Sequence, residues 1–179
     1  MRSLTIAGPI ALLAGACSSD PAPVLLLDAG ADASIAAQCL IPGDYGALGT
    51  KTGTPDLTTA GSLTVVLDPG PPKDDFFLKL IAGKGVFGGG FTTGTFPIAG
   101  EDKSFSTCGL CTNIIADIVS GQGPTKFYFA TSGTVTLTAT SPIAGSAQNL
   151  HFIEVNGASG TPVVGGCTST IASITFGPT

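Results

Sequence analysis

With 179 residues, 11% of them charged, and 26 glycines, the chain has room for one ordinary domain and little material for salt-bridged helix faces. Seven basic residues against twelve acidic ones exclude a nucleic-acid surface, because neutralising phosphates needs clustered Lys and Arg. The same acidity argues against adsorption to anionic lipid headgroups, so any membrane attachment must come from a covalent anchor.

The first patterned stretch runs from Met1 to Cys17. Arg2 supplies a minimal positive n-region, and Leu4 to Leu13 is a short apolar core broken by Pro9. The run is too short for a stable span of a ~30 Å hydrocarbon layer. Ala14-Gly15-Ala16 are the small residues a signal peptidase needs, so residues 1–16 are expected to be a signal peptide. The segment resembles the lipobox of bacterial lipoproteins, where small residues precede a cysteine that receives lipid. It departs from that pattern in carrying Ala14 where leucine is usual, with Leu13 one step early.

That resemblance implies lipidation of Cys17, membrane attachment through several acyl chains at ~0.8 kcal/mol per buried CH₂, and an outer-membrane address from Ser18. The alternative is ordinary cleavage at an A-x-A site, leaving a secreted or periplasmic soluble protein. After either cut six lysines face twelve acids, a net charge of −6. Residues 17–37 then read as the lipidated cysteine and a flexible linker of Pro, Asp, Ala, Gly and Ser, interrupted by the apolar Val24 to Leu27.

Residues 38–179 are expected to form the domain. Its predicted strands, in order, start with Cys39 to Ile41 and Ser62 to Asp68, the latter stopped by Pro69-Gly70-Pro71-Pro72. Asp75 to Ala82 follows, then the glycine-rich Gly83 to Gly90, which no helix follows and which is therefore a poor phosphate loop. Gly94 to Ile98 comes next. Asn113 to Val119 has some helical spacing, but its β-branched residues favour a strand.

Lys126 to Ala130 and Thr134 to Thr140 read as a hairpin about Thr131-Ser132-Gly133, with Val135, Leu137 and Ala139 on one face and threonines on the other. Asn149 to Val155 and Thr168 to Phe176 complete the set. Eight or nine short strands at regular spacing predict an all-β fold, a single antiparallel β-sandwich of the jelly-roll or immunoglobulin-like kind.

Four cysteines follow Cys17: Cys39, Cys108, Cys111 and Cys167. An even number in an exported chain reads as two disulfides, and three connectivities are open. Cys39–Cys167 with Cys108–Cys111 is favoured, since the first pair would tie the opening strand to the closing one. Gly94-Thr95-Phe96-Pro97-Ile98, Thr107 to Thr112, Phe129 to Val135 and Gly166-Cys167-Thr168 together resemble a block order of secreted lipoproteins of myxobacteria, of unknown function. That resemblance spans 38–179 and implies no catalytic residue.

Chemistry-bearing residues are sparse. A thiol–disulfide catalyst would use Cys108 and Cys111, yet no thioredoxin-like βαβ pattern surrounds them. A Cys₄ zinc site lacks its second CxxC. His151 is the single histidine and has no nucleophile-elbow partner, so it reads as a strand residue. Asp74-Asp75 and Glu101-Asp102 are adjacent acids that could help hold calcium, although no calcium-loop motif is present and solvated acids are the commoner outcome. No cofactor is expected.

Lack of tryptophan, with only Tyr45 and Tyr128 as tyrosines, weakens a ring-stacking sugar platform. The reading is a cell-envelope lipoprotein with a structural, adhesive or binding role, and not an enzyme. It would meet the membrane through its anchor and an envelope component or extracellular ligand through its domain. The alternatives are a glycan- or ligand-binding module, favoured by a groove lined by Tyr128 or phenylalanines, and a periplasmic thiol–disulfide oxidoreductase.

Overall fold

A computed structural model describes residues 39, 41–55 and 61–178 of the chain. The signal peptide, Cys17 and the linker expected above lie outside the described residues. Eight strands follow in order: β1 (Ala47–Pro55), β2 (Ser62–Asp68), β3 (Lys73–Leu80), β4 (Gly94–Pro97), β5 (Leu110–Ile118), β6 (Lys126–Thr140), β7 (Ile143–Val155) and β8 (Thr168–Pro178). Short 3₁₀ turns occur at Gly85–Phe87 and Gly100–Lys103.

The expected sandwich is not what forms. The sheet runs β6-β5-β3-β2-β1-β8-β7, and β7 pairs back with β6, closing a seven-stranded barrel. All neighbours are antiparallel except β1 and β8, which run parallel from Ala47↔Ser173 to Gly53↔Pro178, so the sheet is mixed. β4 stands outside the ring. It borders the second half of β6, from Gly94↔Leu137 to Pro97↔Thr134, on the edge that β5 occupies beside the first half.

Two features of the sequence hide this closure. β1 reads Ala-Leu-Gly-Thr-Lys-Thr-Gly-Thr-Pro, with no hydrophobic alternation, yet it is the strand that joins β2 to β8. Without it the remaining strands have two free edges. The second feature is Thr131-Ser132-Gly133, which is not a turn. β6 continues through it, with register shifts on either side of Ser132, and the true hairpin connection is Ser141-Pro142. Cys39 and Ile41, expected in an entering strand, lie outside the named strands.

The bulge leaves a signature in burial. Along β6 the inward set is Tyr128 and Ala130, then Val135 and Leu137, so the parity of the core face switches between them. β7 switches likewise, from Ile143 and Ala147 to Leu150 and Phe152, and β8 from Ile171 to Ile174 and Phe176. Each switch bends a strand and raises its local twist, which lets three long strands wrap one core. Gly133, at φ +122°, makes the bend in β6 possible: a Cβ there would lie 2.8 Å from the Asn149 carbonyl oxygen.

The interior holds Leu63, Val65, Phe76, Leu78, Leu110, Ile114, Phe152 and their neighbours, all buried. The turn Gly85–Phe87 sets Phe87 into this core, edge-on to Phe91 and Phe96 at centroid distances of 5.6 and 5.3 Å. A second, smaller apolar cluster of Cys108, Cys111, Phe129 and Val155 gathers partly buried Ile81, Phe127 and Ile153 around it. Phe129 and Val155 take the opposite parity to inward Tyr128 and Phe152, which puts this cluster on the outer face of the wall.

Candidate functional site

Cys39 is bonded to Cys167 and Cys108 to Cys111, the pairing favoured from sequence. The first bond pins the segment 41–46, which runs beside the start of β8: the Tyr45 N–H donates to the Thr170 carbonyl, and the Thr170 N–H to that of Gly43. The second closes the turn Cys108-Gly109-Leu110-Cys111 at the mouth of β5. Cys108 is 1% exposed and Cys111 5%, both within the outer apolar cluster.

The acid pair Glu101-Asp102 serves that turn. Asp102 is buried, and its Oδ1 accepts the N–H groups of Gly109 and Leu110 at 2.7 and 2.8 Å. Its Oδ2 accepts the Val86 N–H at 3.1 Å, and Glu101 accepts that of Gly85 at 3.2 Å. One carboxylate therefore staples the CxxC turn to the loop that carries Phe87. Solvation of this pair, the commoner outcome for adjacent acids, is not what the structure shows for Asp102.

The other acid pair splits. Asp75 faces outward against Lys73, 2.6 Å away, while Asp74 faces inward, where Tyr45 donates to it at 2.7 Å and the Asp117 N–H at 3.1 Å. Asp74 belongs to a polar nest at the barrel end where β2, β5 and β7 finish. Tyr128 and Asp117 are buried there, and neither the Tyr128 hydroxyl nor either Asp117 oxygen has a hydrogen-bond partner among the described residues. Glu154 accepts the Cys167 N–H at 2.9 Å and lies 3.8 Å from the Lys126 ammonium.

The electrostatics of the nest follow from its burial. Burial, then the hydrogen bond to Asp74, lifts the Tyr45 hydroxyl above its ordinary value. Burial also lifts Tyr128, with Glu154 and Asp117 adding to it. Asp117 is raised by burial first, then by Asp74, against the opposing pull of Lys126. Tyr128 is sealed inside and lines no external groove, so the tyrosine-lined groove that would have favoured a glycan module is absent at this position.

A different concavity opens on the outside of the wall. Asp44, Asn149, Leu150, His151, Thr170, Ile171 and Ala172 line a groove of about 290 Å³. Thr170 donates to Asp44 Oδ1 at 2.6 Å and the Gly46 N–H to the same oxygen at 2.9 Å, which holds this exposed carboxyl below its usual range. His151 pairs across the sheet with Thr170 and Ser132, and its Nδ1 lies 3.3 Å from the Thr131 hydroxyl. Asn149, at φ +51°, sits where three steps of β7 face two of β6. Sequence reasoning named only His151 of these; Asp44, Asn149 and Thr170 come together through the register of β7, β8 and segment 41–46, which no local pattern encodes.

What fold and cysteines define is a disulfide-pinned, closed β-barrel with a buried polar nest at one end and a polar groove on its flank. Compared with known protein families, with curated proteins and with solved structures, the chain matches none. Among the described residues no group of three or more His, Cys, Asp or Glu side chains is placed to hold a metal ion, and no helix is long and apolar enough to cross a membrane.

Proposed function

We propose that this chain is a cell-envelope lipoprotein, anchored at the bacterial outer membrane by acyl chains on Cys17, whose barrel has a non-catalytic binding role. The observation that carries the reading is cysteine pairing. The sequence has five cysteines and four are bonded in two pairs, so no other cysteine of the chain remains for Cys17, which follows the small residues of a lipobox-like segment. Burial of the CxxC supports a structural use of that motif, since a thiol catalyst needs an accessible attacking sulfur in an electropositive setting.

The test is mass spectrometry on the full chain expressed in a Gram-negative host and extracted from membranes without reductant. The expected N-terminal peptide begins at acylated Cys17, and Cys17→Ser moves the protein to the soluble fraction. An unmodified Cys17 thiol in an otherwise processed chain would overturn the anchor. Alkylation of Cys108 or Cys111 in native extracts, with a reduction potential above about −270 mV, would instead establish a thiol oxidoreductase.

A further inference from the structure

We propose that the groove on the barrel flank, between Asp44, Asn149, His151 and Thr170, binds one ring of a neutral, hydroxyl-rich saccharide. The inference rests on the binding role proposed above and gives it a site and a ligand class. The lining decides the class by elimination. No lysine lines the groove, and Asp44 would repel a phosphate or sulfate ester. A metal ion would find one carboxylate and one imidazole, short of a ligand set. An apolar ligand would cover Asp44 Oδ2, the Asn149 amide and His151 Nε2 without giving them partners.

A polyol satisfies them. Thr170 and Gly46 occupy only Oδ1 of Asp44, so Oδ2 remains to accept a sugar hydroxyl. The Asn149 amide presents a donor and an acceptor side by side, the geometry that adjacent hydroxyls match. With Nδ1 facing Thr131, the His151 Nε2 is the ring atom left for a ligand. Leu150 and Ile171 point into the core, so exposed Ala172 is the apolar side chain the groove offers to a pyranose ring. At about 290 Å³ the groove stands at the lower end of ligand-pocket volumes, which suits a single ring.

Asn149 has a left-handed backbone at φ +51°, a conformation asparagine tolerates and glycine prefers. It also supplies a clean variant. Asn149→Gly removes the amide while relieving the backbone, so binding should fall without loss of fold.

The single histidine makes the readout simple. In the full-length chain, in detergent if acylated, the His151 Cε1–H resonance is followed during titration with chitotriose, maltotriose and a galactose-based trisaccharide. Inorganic phosphate and calcium chloride serve as controls. We expect a saturable shift with at least one saccharide at roughly millimolar Kd, as befits one ring in a shallow groove. Asn149→Gly and Asp44→Ala should each weaken it at least fivefold with Tm held or raised in the former. No shift with any of the three saccharides, a shift that persists in both variants, or a response only to phosphate or calcium would overturn the proposal. None of these outcomes bears on Cys17 acylation or on cysteine pairing, so failure here is distinct from failure of the anchor.

Discussion

Removing the Asp102 carboxylate is the sharpest probe of how the barrel holds its CxxC turn. Asp102→Ala leaves the Gly109 and Leu110 N–H groups without an acceptor, and both residues are buried. Each orphaned donor costs ~1–3 kcal/mol, and the Val86 N–H, part-buried at 3.1 Å, adds ~0.5–1 kcal/mol. Relief from burying a carboxylate offsets some of this, which places the net loss at about 3–5 kcal/mol.

For a domain of roughly 140 residues that is a fall in Tm of about 10–15 °C. Urea unfolding followed by far-UV circular dichroism suits a chain with no tryptophan. Asp102→Asn keeps an acceptor for Gly109 and Leu110 but turns an amide donor towards Val86, so it should lose about 1–2 kcal/mol. A loss below about 1 kcal/mol for Asp102→Ala, at unchanged m-value, would refute the staple.

Two further outcomes follow from the same structure. Replacing Cys39 and Cys167 by serine, 128 residues apart, should cost ~4–5 kcal/mol in chain entropy, against ~2 kcal/mol for Cys108 and Cys111, 3 apart; equal losses in chemical denaturation would contradict that ranking. Asp117→Asn should raise Tm at pH 8 and do little at pH 3. The folded-state carboxyl is raised, so its favourable contribution is complete below the unfolded value of ~3.9 and is lost as pH rises through the folded one. A variant less stable than the parent at pH 8 would show that ionised Asp117 has a partner after all.

The strands that alternate were readable, and the ones that bend were not. Ser62 to Asp68 is legible to the residue because β-branched and apolar side chains end at a proline cluster. β1 carries Gly49 and Gly53 among threonines and a lysine, and it is a strand because β2 and β8 hold its two edges. Its identity is a tertiary fact.

Thr131-Ser132-Gly133 misled for the opposite reason. Its composition suits a turn, but β7 pairs with β6 on both sides of it, and a glycine in a strand can mark a bulge as readily as a loop. Taking a bulge for a turn divides one long curved strand into two short flat ones, and short flat strands stack as a sandwich. The site suffered in the same way. Asp44 and Thr170 are 126 residues apart, and only the seam beside β8 brings them within hydrogen-bonding distance.

The parallel seam between β1 and β8 also sets a schedule. A chain that emerges N-terminus first has β1 ready long before its neighbour exists, and the ring cannot close until the last strand arrives. Every intermediate short of that carries an unpaired β1 edge, a template for misplaced pairing. Cys39 must likewise wait for Cys167. Completion is therefore a late, all-or-none event: loss of a few residues from β8 should undo the whole barrel, where the same loss from short, peripheral β4 would only fray it.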